Sequence, residues 1–417
     1  MDLESLEKEL QKIKNSLKYP CVAIIGKTGA GKSSLIKAVF GIDTQGVEGI
    51  KTGAGKPQTT EYEKYPKHPR EDKPIYLYDS PGYEAHKTQE FLDKTIKFLD
   101  ERKLKVINNN FSSDDSIHLV WYAVAGSGKR FEEFDKTIIK KIKENKIPLI
   151  IVLTQIDMLK NKELTELKTE VKNYVDELAK ELQGTRKNLN IEILEVAADP
   201  HERTSIIEKQ EYQEKLLQLV DKSIELLPTT YQNAFIYSQE LNIKKKRKIA
   251  WLFIVTGASA TFASSFTPIP GTTPFATFGT QYSLFQELDK IYSFQKYSQE
   301  IKELVNSIDQ NRGLVLAAGL VLDIGSTTFS ILFPGLFVVG ETIAGGIAAT
   351  YILNVSLAYA KTLEEVSLRY LSLDVTKDEI FKYFKEHFKK NFDKYNQLPN
   401  IKGVKDIDKI GEEYINE

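Results

Sequence analysis

Cysteine is almost missing from this 417-residue chain, and the lone Cys21 excludes any disulfide framework within it. That scarcity fits a reducing, cytoplasmic setting, with Cys21 as a buried core thiol. An excess of one charge is missing too. Lysine and arginine number 57 against 58 aspartates and glutamates, so no global basic field favours nucleic acid as a partner. The first ten residues carry charges at helical spacing where a secretory leader would carry an apolar core. Strand-like alternation is missing beyond about residue 229, and the remainder of the chain reads as helix. The length leaves room for two or three domains.

The informative motifs are concentrated early. A short apolar run at 22–25 enters the glycine-rich turn Gly26 to Ser33, GKTGAGKS, and an apolar helical pattern at Leu35, Ile36, Val39 and Phe40 succeeds it. Strand before and helix after is the context in which G-x-x-x-x-G-K-[ST] wraps phosphates. Backbone N–H groups of Lys27, Thr28, Gly29, Ala30, Gly31, Lys32, Ser33 and Ser34 are expected to turn inward, helped by the positive helix end. Lys32 would reach the β- and γ-phosphates, and the Ser33 hydroxyl would take a site on Mg²⁺. A glycine-rich turn without a ligand is the bland alternative, and the strand–turn–helix setting weighs against it.

Four further segments fall in the order that a guanine-nucleotide switch requires. Asp79-Ser-Pro-Gly82 succeeds the apolar run 75–78, so Asp79 would hold Mg²⁺ through a water and the Gly82 N–H would contact the γ-phosphate. In the stretch 56–60, KPQTT, Thr59 is favoured over Thr60 as the first-switch hydroxyl on Mg²⁺, although residue type does not separate them. Thr154, Gln155 and Asp157 end the run 148–153. Asp157 can accept hydrogen bonds from N1 and N2 of guanine, a donor pair that adenine lacks; its plain alternative is a helix N-cap. Ala197 and Ala198 come after the last strand candidate, where a backbone N–H would meet the guanine oxygen. Lys32, Thr59 and Gly82 are thus expected against the reacting phosphoryl group.

Strand candidates at 22–25, 75–78, 117–124, 148–153 and 191–196 alternate with helical patterns near 31–40, 88–105, 130–146, 162–183 and 203–226. Such alternation predicts an α/β domain over 19–227 with a mainly parallel, doubly wound sheet. Residues 1–18 are apolar at Leu3, Leu6, Leu10, Ile13 and Leu17, a helix face that must dock on the helical region 228–417 or on a second copy. Within that region 249–267 and 342–360 are each 19 residues without charge. A bilayer crossing needs roughly 20 apolar residues. Both stretches are rich in Gly, Ala, Ser and Thr, which favours a buried bundle over membrane insertion or surface binding. The basic run Lys244 to Lys248 suits an anionic membrane surface but more commonly marks a solvated helix face.

The chemistry has gaps as well. Tyr83 comes directly after Asp79 to Gly82, and a phenol is poorly placed to orient a water. No arginine stands in the first switch, and Gly29 occupies the loop position where potassium-activated GTPases carry Asn. Lys51, Lys56, Lys129 or Arg130 could approach the γ-phosphate when a partner closes the site. Slow hydrolysis by a monomer is therefore expected, with acceleration when a second copy completes the site.

With these residues in place the chain resembles the immunity-related (interferon-inducible) GTPases and their bacterial relatives, within the dynamin-like superfamily. The likeness rests on KYPKHP at 64–69, YLYDSPG at 76–82, and Trp121-Tyr122 with Arg130-Phe131 and Asp135. The tail's Pro268 to Gly271 and Phe333 to Gly335 are similar to a helical domain attached to many bacterial GTPases. The resemblance implies a P-loop GTPase domain beside an all-α helical domain, Mg²⁺-dependent conversion of GTP to GDP, and self-association as a homodimer or larger assembly. It also implies action at the inner face of a membrane. An immune role does not come with it. A ribosome- or RNA-assembly GTPase and a non-hydrolysing nucleotide-gated adaptor are the alternatives, the former without any visible RNA-binding module.

Overall fold

Every residue of β1 (Cys21–Gly26) is buried, as a strand with neighbours on both edges and helices on both faces must be. The computed structural model describes residues 3–42, 62–66, 70, 72–80, 88–103, 105–107, 110–112, 116–128, 130–185, 188–200, 205–264, 283–298, 300–301, 341–370, 376–398 and 404–417. β1 pairs in parallel with β3 (Tyr76–Asp79) on one side and with β6 (Leu119–Ala125) on the other. β7 (Leu149–Thr154) and β8 (Ile191–Glu195) continue the parallel sheet, and β2 (Glu63–Tyr65) closes its other edge antiparallel to β3. The order is β2-β3-β1-β6-β7-β8. The helices α2 (Lys32–Phe40), α3 (Thr88–Glu101), α4 (Glu133–Glu144), α5 (Asn161–Glu181) and α6 (Ile206–Leu226) alternate with these strands. The five parallel strands and five helices expected from periodicity are present; β2 and a separate ribbon of β4 (Lys105–Ile107) and β5 (Asn110–Ser112) have no counterpart in that pattern.

Strand alternation sorts the apolar residues between two faces. Ala23, Ile25, Tyr122, Val124, Ile151 and Leu153 share a core with Phe134, Ile138 and Val171 from α4 and α5. Trp121 points the other way, where its ring stacks on Phe40 of α2 (5.9 Å) and its Nε1 donates to Ser223 of α6 (2.9 Å). Phe40 in turn meets Phe235 of α7 (Thr229–Ser238) edge-on at 5.6 Å.

Contacts divide the chain into two units, Leu17–Asn242 and Met1–Ser16 with Ile243–Glu417. α7 therefore lies with the sheet-bearing unit, held by Phe40 and by the ring of His118, which lies 3.8 Å from that of Tyr231. The second unit holds α1 (Leu3–Ser16), α8 (Lys246–Ser264), α9 (283–291), α10 (Glu341–Tyr370), α11 (Lys377–Tyr395) and α12 (Val404–Asn416), with no strand among its described residues. Ile249, Phe253 and Ile254 of α8 and Leu353, Leu357 and Val366 of α10 are fully buried. Among the described residues no helix is long and apolar enough to cross a membrane.

The basic run corrects the solvated-face reading. Lys246 and Arg247 are buried, leaving Lys244 and Lys248 exposed. Arg247 makes a two-pronged pair with Glu364 of α10 (2.6 and 2.5 Å), and Lys246 donates to the carbonyl of Ile291. A buried charge needs such partners, so these two cations are structural and unavailable to a lipid surface.

Candidate functional site

The site is built at the carboxyl ends of β1, β3, β7 and β8, the crevice side of an open parallel sheet. A Cβ on Gly26 would stand 2.4 Å from the carbonyl oxygen of Ala123, so β1 and β6 can approach this closely only with glycine there. Gly31 caps α2 in the left-handed conformation (φ 72°) with no side-chain acceptor. The first N–H groups of α2, from Lys32, Ser33 and Ser34, have no carbonyl in their own helix and point out along its axis. Ala30 N–H donates back to Lys27 O (3.1 Å), which closes the turn.

Lys32 curls back over this loop. Its ammonium donates to Gly26 O (3.0 Å) and Lys27 O (3.1 Å) and is nearly inaccessible to solvent. Burial lowers its pKa, and the nearby Asp79 carboxylate opposes that shift. Asp79 ends β3 beside β1, and its Oδ2 accepts a hydrogen bond from Ser33 Oγ at 3.1 Å. Two residues 46 positions apart thus meet at the mouth of the loop.

The end of β7 braces the loop from the other side. Thr154 Oγ1 directs its one proton at Ala30 O (2.9 Å), with Val124 O the farther acceptor at 3.3 Å. Gln155 adopts φ 55°, donates through Nε2 to Gly29 O (2.8 Å), and accepts from Ser127 Oγ. Asp157 sits in the 3₁₀ turn Ile156–Met158, whose first N–H faces Val196 O at 3.5 Å. Ala197 and Ala198 therefore come directly beside that turn, Ala197 buried and Ala198 partly so. Thr59, Thr60, Gly82, Tyr83, Lys51, Lys56 and Lys129 lie outside the described residues.

One contact has no contiguous signature. Lys27, expected to act only through its backbone, reaches Glu132 (2.9 Å) and Asp135 (3.8 Å) at the start of α4, its ammonium 4.9 Å from the Phe134 ring centre. Glu132 and Asp135 form a capping box, and Asp135 also accepts from Tyr122 OH at 2.7 Å. Burial raises the Asp135 pKa, while these bonds and Lys27 pull it down. The sequence hint is an acidic pair three apart at a helix start. A cavity of about 320 Å³ opens here, lined by Lys27, Ala123, Ala125, Arg130, Glu132 and Asp135 among others.

A left-handed glycine cap, a buried lysine folded over its own loop, and a hydroxyl–carboxylate pair at adjacent strand ends, on a mostly parallel sheet, give residues 17–242 the fold of a P-loop GTPase domain. The sequence profile described as "50S ribosome-binding GTPase" matches residues 21–155. The chain is 29% identical over 170 residues to the probable GTP-binding protein EngB of Aquifex aeolicus, covering 40% of this chain and 84% of that protein. It is 28% identical over 156 residues to the probable GTP-binding protein EngB of Mycoplasmopsis synoviae, covering 37% and 74%. These matches are to GTPase-type proteins in general and are not specific to immunity-related GTPases. Translation elongation factor SelB of Methanococcus maripaludis, in complex with the GTP analogue GppNHp, is a distant structural likeness. It has a TM-score of 0.31 and 15% identity, and the match covers 51% of this chain and 35% of that one. Bacterial selenocysteine-specific elongation factor EF-Sec gives 0.29 and 21%, covering 49% and 29%.

Proposed function

We propose that the chain hydrolyses GTP to GDP and phosphate with Mg²⁺, slowly when alone, and that its helical unit carries the output. The observation that carries this reading is the 3.1 Å contact between Ser33 Oγ and Asp79 Oδ2 at the mouth of the loop that holds Lys32. A hydroxyl and a carboxylate oxygen are the hard donors magnesium takes, so the pair fits the ion. Ser33 and Asp79 would hold Mg²⁺, which would supply positive charge to offset the negative charge developing on the phosphates.

The chain's own residues do the rest. The α2 N-terminus and the loop N–H groups hold the phosphates, and Lys32 turns its ammonium from the loop carbonyls to the β- and γ-oxygens. Thr154 and Gln155 keep the loop in shape from β7. Asp157 selects guanine, with a backbone N–H near Ala197 and Ala198 on the guanine oxygen. From their order in the sequence, Thr59 is assigned to Mg²⁺ and the Gly82 N–H to the γ-phosphoryl group. Tyr83 supplies no water-orienting amide, which is why turnover is slow until a second copy or a partner completes the site.

The resemblance to immunity-related GTPases supports self-association in the GTP state and action at a membrane. A second reading, binding to the large ribosomal subunit, is favoured by the description of the family that matches residues 21–155. Phosphate release from GTP and ATP, measured across a range of protein concentrations, tests the enzyme. Release from GTP alone, rising more than linearly with protein, is expected. Equal release from ATP would contradict the base selection. Co-pelleting with anionic liposomes or with 50S subunits, in a nonhydrolysable GTP analogue, separates the two outputs.

A further inference from the structure

We propose that Arg130 supplies, from within the same chain, positive charge to the γ-phosphoryl group during hydrolysis. The inference rests on the GTPase reading and assigns a catalytic residue to that site.

Arg130 comes after the 3₁₀ turn Gly126–Gly128 at the end of β6, two residues ahead of Glu132, the N-cap of α4. β6 is the direct neighbour of β1, with Ala123 in register with Gly26. The turn therefore emerges beside the phosphate loop, and Arg130 lines the same cavity as Lys27, the loop's second residue.

Charge accounting singles it out. That cavity is lined by two cations and two carboxylates. Lys27 is engaged by both carboxylates, Glu132 and Asp135. Lys32 is engaged by two loop carbonyls. Arg130 is exposed and makes no hydrogen bond or ion pair among the described residues, so its guanidinium is uncommitted. A solvated surface arginine would look the same in isolation. What sets this one apart is its place on the cavity that the phosphate loop borders, where both lining carboxylates already pair with Lys27.

The chemistry asks for such a group. A water oxygen bonds to the γ-phosphorus as the bond to the β,γ-bridging oxygen breaks. That bond's electron pair leaves on GDP, and the water's proton passes to the released phosphate. Charge spreads over the bridging and equatorial oxygens, and a planar guanidinium fork can contact two of them at once. Water positioning is a separate task, so a cis arginine is compatible with slow turnover by the monomer.

The test is single-turnover GTP hydrolysis by the full chain with Mg²⁺, beside fluorescent GDP binding, for wild type, Arg130→Ala and Arg130→Lys. Expected are a loss of at least about tenfold in rate for Arg130→Ala, partial activity for Arg130→Lys, and GDP affinity within about twofold for both. Arg130→Ala should also fail to trap GDP with aluminium fluoride where wild type does. Unchanged GDP binding certifies folding. Wild-type hydrolysis with Arg130→Ala less than about tenfold slower overturns the role of Arg130 and leaves the GTPase reading intact. Wild type that binds GDP but hydrolyses no GTP overturns both.

Discussion

Lys32 donates a hydrogen bond to the carbonyl of Gly26, so the residue that closes the phosphate loop is tied to the residue that opens it. The same ammonium holds Lys27 O, and burial has already lowered its pKa. Charged hydrogen bonds contribute about 1.5–3 kcal/mol each, and a phosphate offers this ammonium stronger ones than two carbonyls. Lys32→Ala is expected to weaken GTP binding by at least about 100-fold, read by titration with a fluorescent analogue. A loss under about fivefold would show that the lysine is only a spacer in the loop.

Thr154 ties the end of β7 to the loop through Ala30 O, with Val124 O of β6 the farther acceptor. Valine has the same shape without the hydroxyl. Thr154→Val should lower GDP affinity about 2- to 10-fold, at roughly 1 kcal/mol for the one hydroxyl proton, and Thr154→Ser should restore most of it. Equal affinity in all three proteins would mean that the strand end does not brace the loop.

His118 gives the sheet domain a pH dependence. Its Nδ1 accepts the Cys21 N–H at 2.8 Å, and Nε2 finds no partner among the described residues. Burial pushes its pKa from 6.5 down to about 4. The unfolded chain therefore takes up a proton below about pH 6.5 that the folded domain refuses. The contribution is fully present above that pH and is lost as pH falls towards 4, by up to about 3 kcal/mol. Urea titrations at about pH 7.5 and about pH 5 should show a smaller loss of stability on acidification for His118→Phe than for wild type. Identical losses would mean that the imidazole is protonated in the fold.

Arg247 and Glu364 carry the corresponding burden in the helical unit, where both are almost wholly inaccessible. Removing one partner strands the other, so Glu364→Gln should cost about 3–5 kcal/mol, while the paired Arg247→Met with Glu364→Leu should cost much less. The two tryptophans fall in different units, Trp121 in the sheet domain and Trp251 in α8. Trp251 fluorescence in a Trp121→Phe background therefore tracks the helical unit. A double variant as unstable as the single would refute the desolvation argument.

Contiguous features were legible in the sequence. The phosphate loop spans eight consecutive residues, and the order of Asp79 and Asp157 behind it is set by where parallel strands end. Features made by partners far along the chain were not. β2 is three residues long and is defined by its pairing with β3 rather than by its own apolar pattern. Lys73, in sequence the last charge of the run Arg70 to Lys73, is bound by Glu240 and Ser238 O, more than 160 positions away. Lys246 and Arg247 read as a charged surface because their partners, Ile291 O and Glu364, lie 45 and 117 positions on. Periodicity reports which side of an element faces solvent only when no distant group neutralises a charge.

Equilibrium dialysis of purified protein against labelled GTP with Mg²⁺ bears most directly on the proposed nucleotide site. Saturable uptake of one GTP per chain is expected, displaced by excess GDP and untouched by excess ATP, with xanthine nucleotide preferred after Asp157→Asn. No uptake by the wild-type chain, or displacement by ATP as readily as by GDP, would contradict it.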